Sequence, residues 1–417
     1  MYRLSNLDIL IPDVDMLRED LQFFWKLDKY RVLIGDKWKW SEICKGQRTL
    51  MVTLKGNDIL SEEWLQLTLR RTEDLHLHGS DGTKRSIHGL CREGFKELKH
   101  LHVERSPSTH YLVRSTKCAA ESAFIVLESL FLENLSNLEK ICHGLPAKGI
   151  WQDQHSVEWS KLKYLRIEAC RNLLKVVDSS KLIMKLESLE SLSIKDCKSI
   201  EEVFDFRGVA IGTVNKILPR LHALELEDLP SLRCLWNTTS PEELSGFRNL
   251  GSLKVDGCSG LRCLFTAPMV KAMATLKELE VSNCGNMETI VMEDSEDASK
   301  RSWFSSSKVL KAAVECPGSL MFGPSSFSSK HVDGDKVEGT TKKAKDTAEN
   351  IIAFPSLRML NIHDCYIMKS FVLSCKREQE APMMAGDDSS DSKSKDDSHA
   401  VFFNTKVSIY IHAVFKY

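Results

Sequence analysis

Residues 162–176, LKYLRIEACRNLLKV, and residues 189–203, LESLSIKDCKSIEEV, share one frame. In the first copy it runs Leu162, Leu165, Ile167, Cys170, Leu173, Val176; in the second, Leu189, Leu192, Ile194, Cys197, Ile200, Val203. It returns at 250–264 as LGSLKVDGCSGLRCL and at 276–290 as LKELEVSNCGNMETI. Two more copies put leucine where the cysteine stands: Leu127, Leu130, Leu132, Leu135 and Leu221, Leu224, Leu226, Leu229. Another begins at Leu357 and carries Cys365, and weaker copies lie at Leu98-Leu101-Val103, Leu75-Leu77 and Leu4-Leu7-Ile9. Self-similarity of this kind is the mark of a repeat architecture.

Between positions 127 and 276 the units begin 35, 27, 32, 29 and 26 residues apart, at or beyond the upper end of the roughly 20–29 residues of a leucine-rich repeat. The central L-x-L has period two, so both apolar side chains of a short strand point into the molecule and the residue between them faces water. One such turn cannot bury its own leucines; stacked turns can. The expected fold is therefore an α/β repeat, a curved leucine-rich-repeat solenoid. Its concave side is a parallel β-sheet, its convex side is irregular or short-helical, and variable loops account for the uneven spacing. Cys170, Cys197, Cys258, Cys284 and Cys365 take the buried turn position as a structural ladder, one small polarisable side chain per coil. A redox or metal role would need them to converge on one point, and a ladder spreads them along a line.

The rest of the chain divides around this array. Residues 1–70 form degenerate N-terminal repeats or a cap, with further strands expected at Tyr30–Ile34 and Leu50–Leu54 and with Trp25, Trp38 and Trp40 filling gaps beneath irregular turns. Residues 71–292 are the solenoid proper. Residues 293–350, rich in Ser, Lys, Gly and Asp, read as a disordered insertion, followed by a further repeat at 351–375. Residues 376–400, with GDDSSDSKSKDDSH, read as a second disordered polar segment, and 401–417 as a strand-like tail without the leucine frame, suggesting a truncated repeat.

Composition excludes several classes of partner. The 417 residues carry 57 Lys+Arg against 58 Asp+Glu, too balanced for electrostatic capture of nucleic acid or of an anionic membrane. No apolar run is long enough for a membrane span, and no secretion signal is evident, which points to the cytoplasm or nucleus. Thirteen cysteines without a CxxC pair fit reduced thiols better than a disulfide framework or a zinc site. Motifs for catalysis are missing: there is no G-x-S-x-G, no H-E-x-x-H and no phosphate loop after a strand. No catalytic residue, cofactor or metal is assigned.

Five phrases, LENLSNLEKICHG (132–144), LRIEACRNLLKVV (165–177), LELEDLPSLRCLW (224–236), LKVDGCSGLRCLF (253–265) and LEVSNCGNMETIV (279–291), together with IPDVDMLREDL, RTEDLHL and REGFKELKHLHVERSP, carry a family resemblance. They resemble the repeat region of plant intracellular disease-resistance receptors of the coiled-coil, nucleotide-binding, leucine-rich-repeat class. Members of that class also carry a G-x-x-x-x-G-K-[ST] phosphate loop, and this sequence does not; Gly79-Ser-Asp-Gly82-Thr-Lys84 has the wrong spacing. The chain is thus expected to resemble a receptor's C-terminal sensor region standing alone, as a fragment, a truncated product or a separate adaptor.

Alignment on the L-x-L core predicts two exposed rows along the sheet. The central row is His76, His102, Phe131, Arg166, Ser193, Glu225, Lys254, Glu280 and Asn361; two residues further on lie His78, Glu104, Glu133, Glu168, Lys195, Glu227, Asp256, Ser282 and His363. Like charges at strand spacing repel, so the acidic row is either a screened, solvated face or a surface kept for a basic partner. The resemblance implies protein partners: a pathogen effector, a guarded host protein or a nucleotide-binding switch domain. On that reading Glu104, Glu133, Glu168, Glu227 and Asp256 are the contact strip, with Phe131, Tyr164 and Arg166 beside it. His76, His78, His100 and His102 are the one metal-like cluster, but stable sites want three or four convergent ligands, so the stacked His76 and His102 read as an exposed, pH-sensitive pair. The rival function is the substrate-recognition arm of a ubiquitin-ligase adaptor. It fits poorly, because Cys170 is followed by RNLLKVV rather than a sequence like I-T-D-x-G-L.

Overall fold

The computed structural model describes residues 5–12, 26–35, 46–54, 58–79, 86–91, 94–114, 124–143, 159–177, 183, 185–205, 218–237, 247–266, 269–270, 273–292, 352–368, 370–373, 401–403 and 408–412. The two segments expected to be disordered, 293–350 and 376–400, and the tryptophans at 25, 38 and 40 lie outside these residues.

Thirteen strands form one parallel sheet in strict chain order, from Asn6–Ile11 through Tyr164–Glu168 and Ser191–Lys195 to Met359–His363 and Ser408–His412. Each coil contributes one strand and returns behind the sheet. Register follows the repeat: Leu165 pairs with Leu192, Leu192 with Leu224, Leu224 with Leu253, and Leu253 with Leu279. All five leucines are buried, as are their L-x-L partners Ile167, Ile194, Leu226, Val255 and Val281. Each such side chain contributes roughly 1.5–3 kcal/mol by leaving water, and only because a neighbouring coil covers it. The strand Ser408–His412 pairs in parallel with Met359–His363, so the tail adds a rung despite lacking the leucine frame.

Eight strands of the sheet, from His100–Glu104 to Met359–His363, are each followed by a residue in the left-handed region. Arg105, Asn134, Ala169, Asp196, Asp228, Gly257, Asn283 and Asp364 have φ between +48° and +65°. There the backbone turns out of the strand, and its N–H donates to the next coil's last strand carbonyl. Ala169 donates to Lys195 at 2.9 Å, Asp196 to Glu227 at 3.0 Å, Asp228 to Asp256 at 2.9 Å and Gly257 to Ser282 at 3.0 Å. Gly adopts this conformation without strain and Asn and Asp at little cost, whereas Ala169 and Arg105 hold it under strain. The following residue opens a tight turn, with Leu173 N–H donating to Cys170 O and Met287 N–H to Cys284 O.

A second row of buried residues lies three places before each first leucine: Phe124, Trp159, Leu186, Leu218, Phe247, Met273 and Phe354. Each carbonyl accepts the leucine's N–H, closing the turn that leads back into the sheet. Phe247 packs against Trp236 at 4.1 Å between ring centroids, and Trp236 stacks on Phe204 at 5.9 Å. The convex side holds short strands in parallel groups: Lys175–Val177, Glu202–Asp205 and Cys234–Asn237 in one, and Phe265–Thr266, Thr289–Met292 and Ser370–Leu373 in another. A helix, Glu63–Arg71, stands near the N-terminal end and buries Trp64, Leu65, Thr68 and Leu69. These features and the sheet establish a leucine-rich-repeat solenoid.

At Gly257, where φ is +65°, an added Cβ would lie 2.4 Å from Asp228 Oδ1. Gly257→Ala is expected to lower stability by about 1–2 kcal/mol, and Ala169→Gly to raise it by up to about 1 kcal/mol as strain is relieved. Urea unfolding of both variants measures the two opposite signs; equal signs would mean the left-handed turn does not govern these positions.

Candidate functional site

The outward side chains of the sheet stack as the repeat frame dictates. Along the central row, His76 is in register with His102, His102 with Phe131, Phe131 with Arg166, and Arg166 with Ser193; Glu225, Lys254, Glu280 and Asn361 follow. Two residues on, His78, Glu104, Glu133, Glu168, Lys195, Glu227, Asp256, Ser282 and His363 form the second row. Tyr164, two residues before Arg166 on the same strand, points to the same face and is 43 % exposed. All eight residues expected at the partner strip therefore lie on one surface.

The acidic row is not bare, a third outcome beside screening and a basic partner. Arg166 donates from Nη2 and Nε to Glu168 Oε2 at 2.6 and 3.2 Å. Lys195 Nζ lies 2.9 Å from Glu227 Oε2 and 3.1 Å from Glu225 Oε1, and these bonds, that to Glu227 foremost, hold its pKa above the usual lysine value. Partial burial would raise the Glu225 carboxyl, but donors from Lys195 and Ser193 outweigh it and bring the pKa down. Asp256 follows the same balance: burial pushes up, and hydrogen bonds from Asn283 and Ser282, each 2.7 Å, pull it lower overall. The cations sit in register with, or two residues from, the carboxylates they serve, so the strand period itself brings them within reach.

Pairing does not cancel the charge. The two rows carry seven carboxylates, Glu104, Glu133, Glu168, Glu225, Glu227, Asp256 and Glu280, against three cations, Arg166, Lys195 and Lys254. The face is left net negative by four with neutral histidines.

His76 departs from expectation. It is buried rather than exposed, at 8 %, and burial together with the neighbouring His102 and His100 pulls its pKa down to about 3. Its ring meets that of His102 edge-on at 5.2 Å. Burial also lowers His102, outweighing the opposing pull of Glu133 and Glu104. Besides the His76 ring, the two carboxylates of Glu104 and Glu133 converge on His102, a juxtaposition that the spacing of the histidines does not reveal.

The cysteines occupy the turns beneath the sheet's C-terminal edge. Each thiol is near the carbonyl two residues back: Cys170 to Glu168 O at 3.5 Å, Cys197 to Lys195 O at 3.3 Å, Cys258 to Asp256 O at 3.4 Å, Cys284 to Ser282 O at 3.2 Å and Cys365 to His363 O at 3.5 Å. The first four are buried and Cys365 is partly exposed. Burial pushes the Cys258 thiol up to about 12, which keeps it protonated and unreactive. Nine described cysteines are free thiols.

Residues 143–285 match the family model described as plant disease resistance protein RPS2-like, leucine-rich repeats. Over 245 residues the chain is 26 % identical to the probable disease resistance protein At4g27220 of Arabidopsis thaliana, covering 58 % of this chain and 25 % of that protein. The chain thus spans about a quarter of that relative's length. Among solved structures, the leucine-rich repeat domain of the type III effector XopL aligns with a TM-score of 0.41 at 18 % identity, covering 61 % of this chain and 74 % of that one. Among the described residues no helix is long and apolar enough to cross a membrane.

Lys195 bridges two carboxylates, and its side chain is only 26 % exposed. Lys195→Gln is expected to cost about 1 kcal/mol in urea unfolding at low salt, with most of the loss disappearing at high salt, and Lys195→Arg to cost less. A loss independent of salt would assign Lys195 a packing role instead.

Proposed function

We propose that this chain, whose repeats over residues 143–285 match those of plant disease-resistance proteins, is a non-catalytic protein-binding module that serves as the sensor and autoinhibitory surface of an immune receptor. In the resting state its concave face holds a basic surface of a nucleotide-binding switch domain; a pathogen effector or a guarded host protein competes for that face. The free thiols among the described cysteines suit the reducing cytoplasm or nucleus.

The observation that carries this reading is the net charge of the two in-register rows, seven carboxylates to three cations on one continuous surface. A negative face of that extent draws in a positive partner and orients it before contact, and the attraction weakens with salt. Affinity would concentrate at apolar anchors inside a charged rim. Phe131 and Tyr164 stand on adjacent strands, with Phe131 in register with Arg166 and Ser129 with Tyr164, so the two rings lie diagonally across one strand pair. Glu104, Glu133, Glu168, Glu227 and Asp256 surround or extend this patch, and Arg166 would read an acidic group on the partner once freed from Glu168. A long open surface lacks the enclosed, water-excluding pocket that acid–base chemistry requires.

The test reverses Glu133, Glu168 and Glu227 together to lysine and measures binding to a basic nucleotide-switch domain by titration calorimetry across a salt series. Affinity is expected to fall by roughly tenfold or more, about 1.4 kcal/mol, and its salt dependence to reverse, because the two rows turn net positive. A companion triple change to glutamine, which leaves Arg166 and Lys195 without repulsive neighbours, separates charge from folding. Unchanged affinity in both variants would remove the acidic strip. Recovery of cullin and Skp1-like subunits from plant extract, in place of a nucleotide-binding receptor, would replace the immune reading with that of a ubiquitin-ligase adaptor.

A further inference from the structure

His102, Glu104 and Glu133 meet at one point of the concave face. His102 and Glu104 leave the strand His100–Glu104 two residues apart and so project from the same side, while Glu133 on Ser129–Glu133 is in register with Glu104. One ring nitrogen and one oxygen from each carboxylate all lie within 4.8 Å of one another. His102 Nε2 lies 3.5 Å from Glu133 Oε2.

Tetrahedral zinc, with bonds of about 2.0–2.2 Å to imidazole nitrogen and carboxylate oxygen, sets its ligands about 3.3 Å apart. His102 and Glu133 already stand near that spacing, and Glu104 reaches it by a side-chain adjustment on the order of 1 Å, within the freedom of a half-buried glutamate. The surroundings orient the set. Asn134 Nδ2 donates to Glu133 Oε1 at 3.3 Å, leaving Oε2 for the shared point. The His102 ring is flanked by His76, centroids 5.2 Å apart, and by Phe131, 6.2 Å apart, both edge-on, which limits its rotation. Two cations compete: Arg105, whose Nε lies 3.2 Å from Glu104 Oε1 on a side chain 63 % exposed, and Arg166, near enough to act on His102 but held by Glu168. Two carboxylates in register on adjacent strands repel unless a cation sits between them, and a nitrogen ligand selects zinc over magnesium or calcium.

We propose that His102, Glu104 and Glu133 form a zinc-binding site on the concave face, with three protein ligands and a fourth position open to water or to a donor from a bound macromolecule. The site stands without any protein partner, so its test is independent of the immune reading.

Zinc chloride is titrated into the metal-free full chain in a non-coordinating buffer near neutral pH, with cobalt(II) as a spectroscopic probe. One site per chain is expected, with cobalt d–d bands of nitrogen and oxygen ligation and no thiolate charge transfer. His102→Asn and Glu133→Gln should each weaken binding by roughly tenfold or more, the size typical of losing a ligand or its support. Glu278→Gln, on an exposed strand position away from the cluster, should leave it unchanged. Both test positions are on the surface side of the sheet, and circular dichroism melts verify folding. Absence of uptake at millimolar zinc, cobalt bands dominated by thiolate, or affinity indifferent to both substitutions overturns the proposal.

Discussion

Every other feature of this molecule depends on burial that no single coil can achieve. Leu165 and Ile167 leave water only because the coil of Leu192 and Ile194 lies against them, and that coil needs the next. Hydrophobic burial therefore acts along the chain axis as a nearest-neighbour coupling. It also enforces register, because a slip of one residue would turn each L-x-L pair outward and its polar neighbours inward. From Arg105 to Asn283 the left-handed residue after the strand lets the chain leave the sheet at the same level in successive coils, and its N–H ties that level to the next.

The same constraint arranges the surface. With register set by the buried side, the outward residues have no freedom to choose neighbours, so Arg166 finds Glu168 and Lys195 finds Glu227 as a result of their places in the frame. Partial neutralisation limits the repulsion within the strip while leaving a net negative field over it. Near Glu104 and Glu133 the neighbouring groups are Arg105, whose side chain is largely exposed, and the His102 imidazole, whose pKa burial lowers.

The L-x-L frame was legible because its period belongs to local geometry: fifteen-residue phrases such as 162–176 and 276–290 align without gaps, and alignment alone placed both outward rows in the register observed. The convex strands were not legible. Lys175–Val177 and Cys234–Asn237 are too short to carry a pattern and form only because neighbouring coils bring them together. The helix Glu63–Arg71 was hidden for another reason: Trp64, Leu65, Thr68 and Leu69 give it a face, but it lies where the repeat is most degenerate. The aromatic row of Phe124, Trp159, Phe247 and Phe354 was present as a large apolar residue three places before each first leucine, and its regularity emerges once the turns are seen. Of the site, positions were readable and partners were not. Whether Glu133 meets an arginine, a histidine or water depends on side-chain reach, which residue spacing alone does not specify.

The short convex strands have a mechanical consequence. Where Lys175–Val177, Glu202–Asp205 and Cys234–Asn237 pair, coils are pinned at strand separation on the back as well as the front, so that stretch resists bending like a beam with both flanges fastened. Between Asn237 and Phe265 no back-side strand pairing joins the coils among the described residues, and the junction is spanned by the Trp236 indole donating to Leu264 O at 3.2 Å. There the coils are held by the continuous front sheet and by the Trp236 bond, so stiffness against bending varies along the axis of the solenoid.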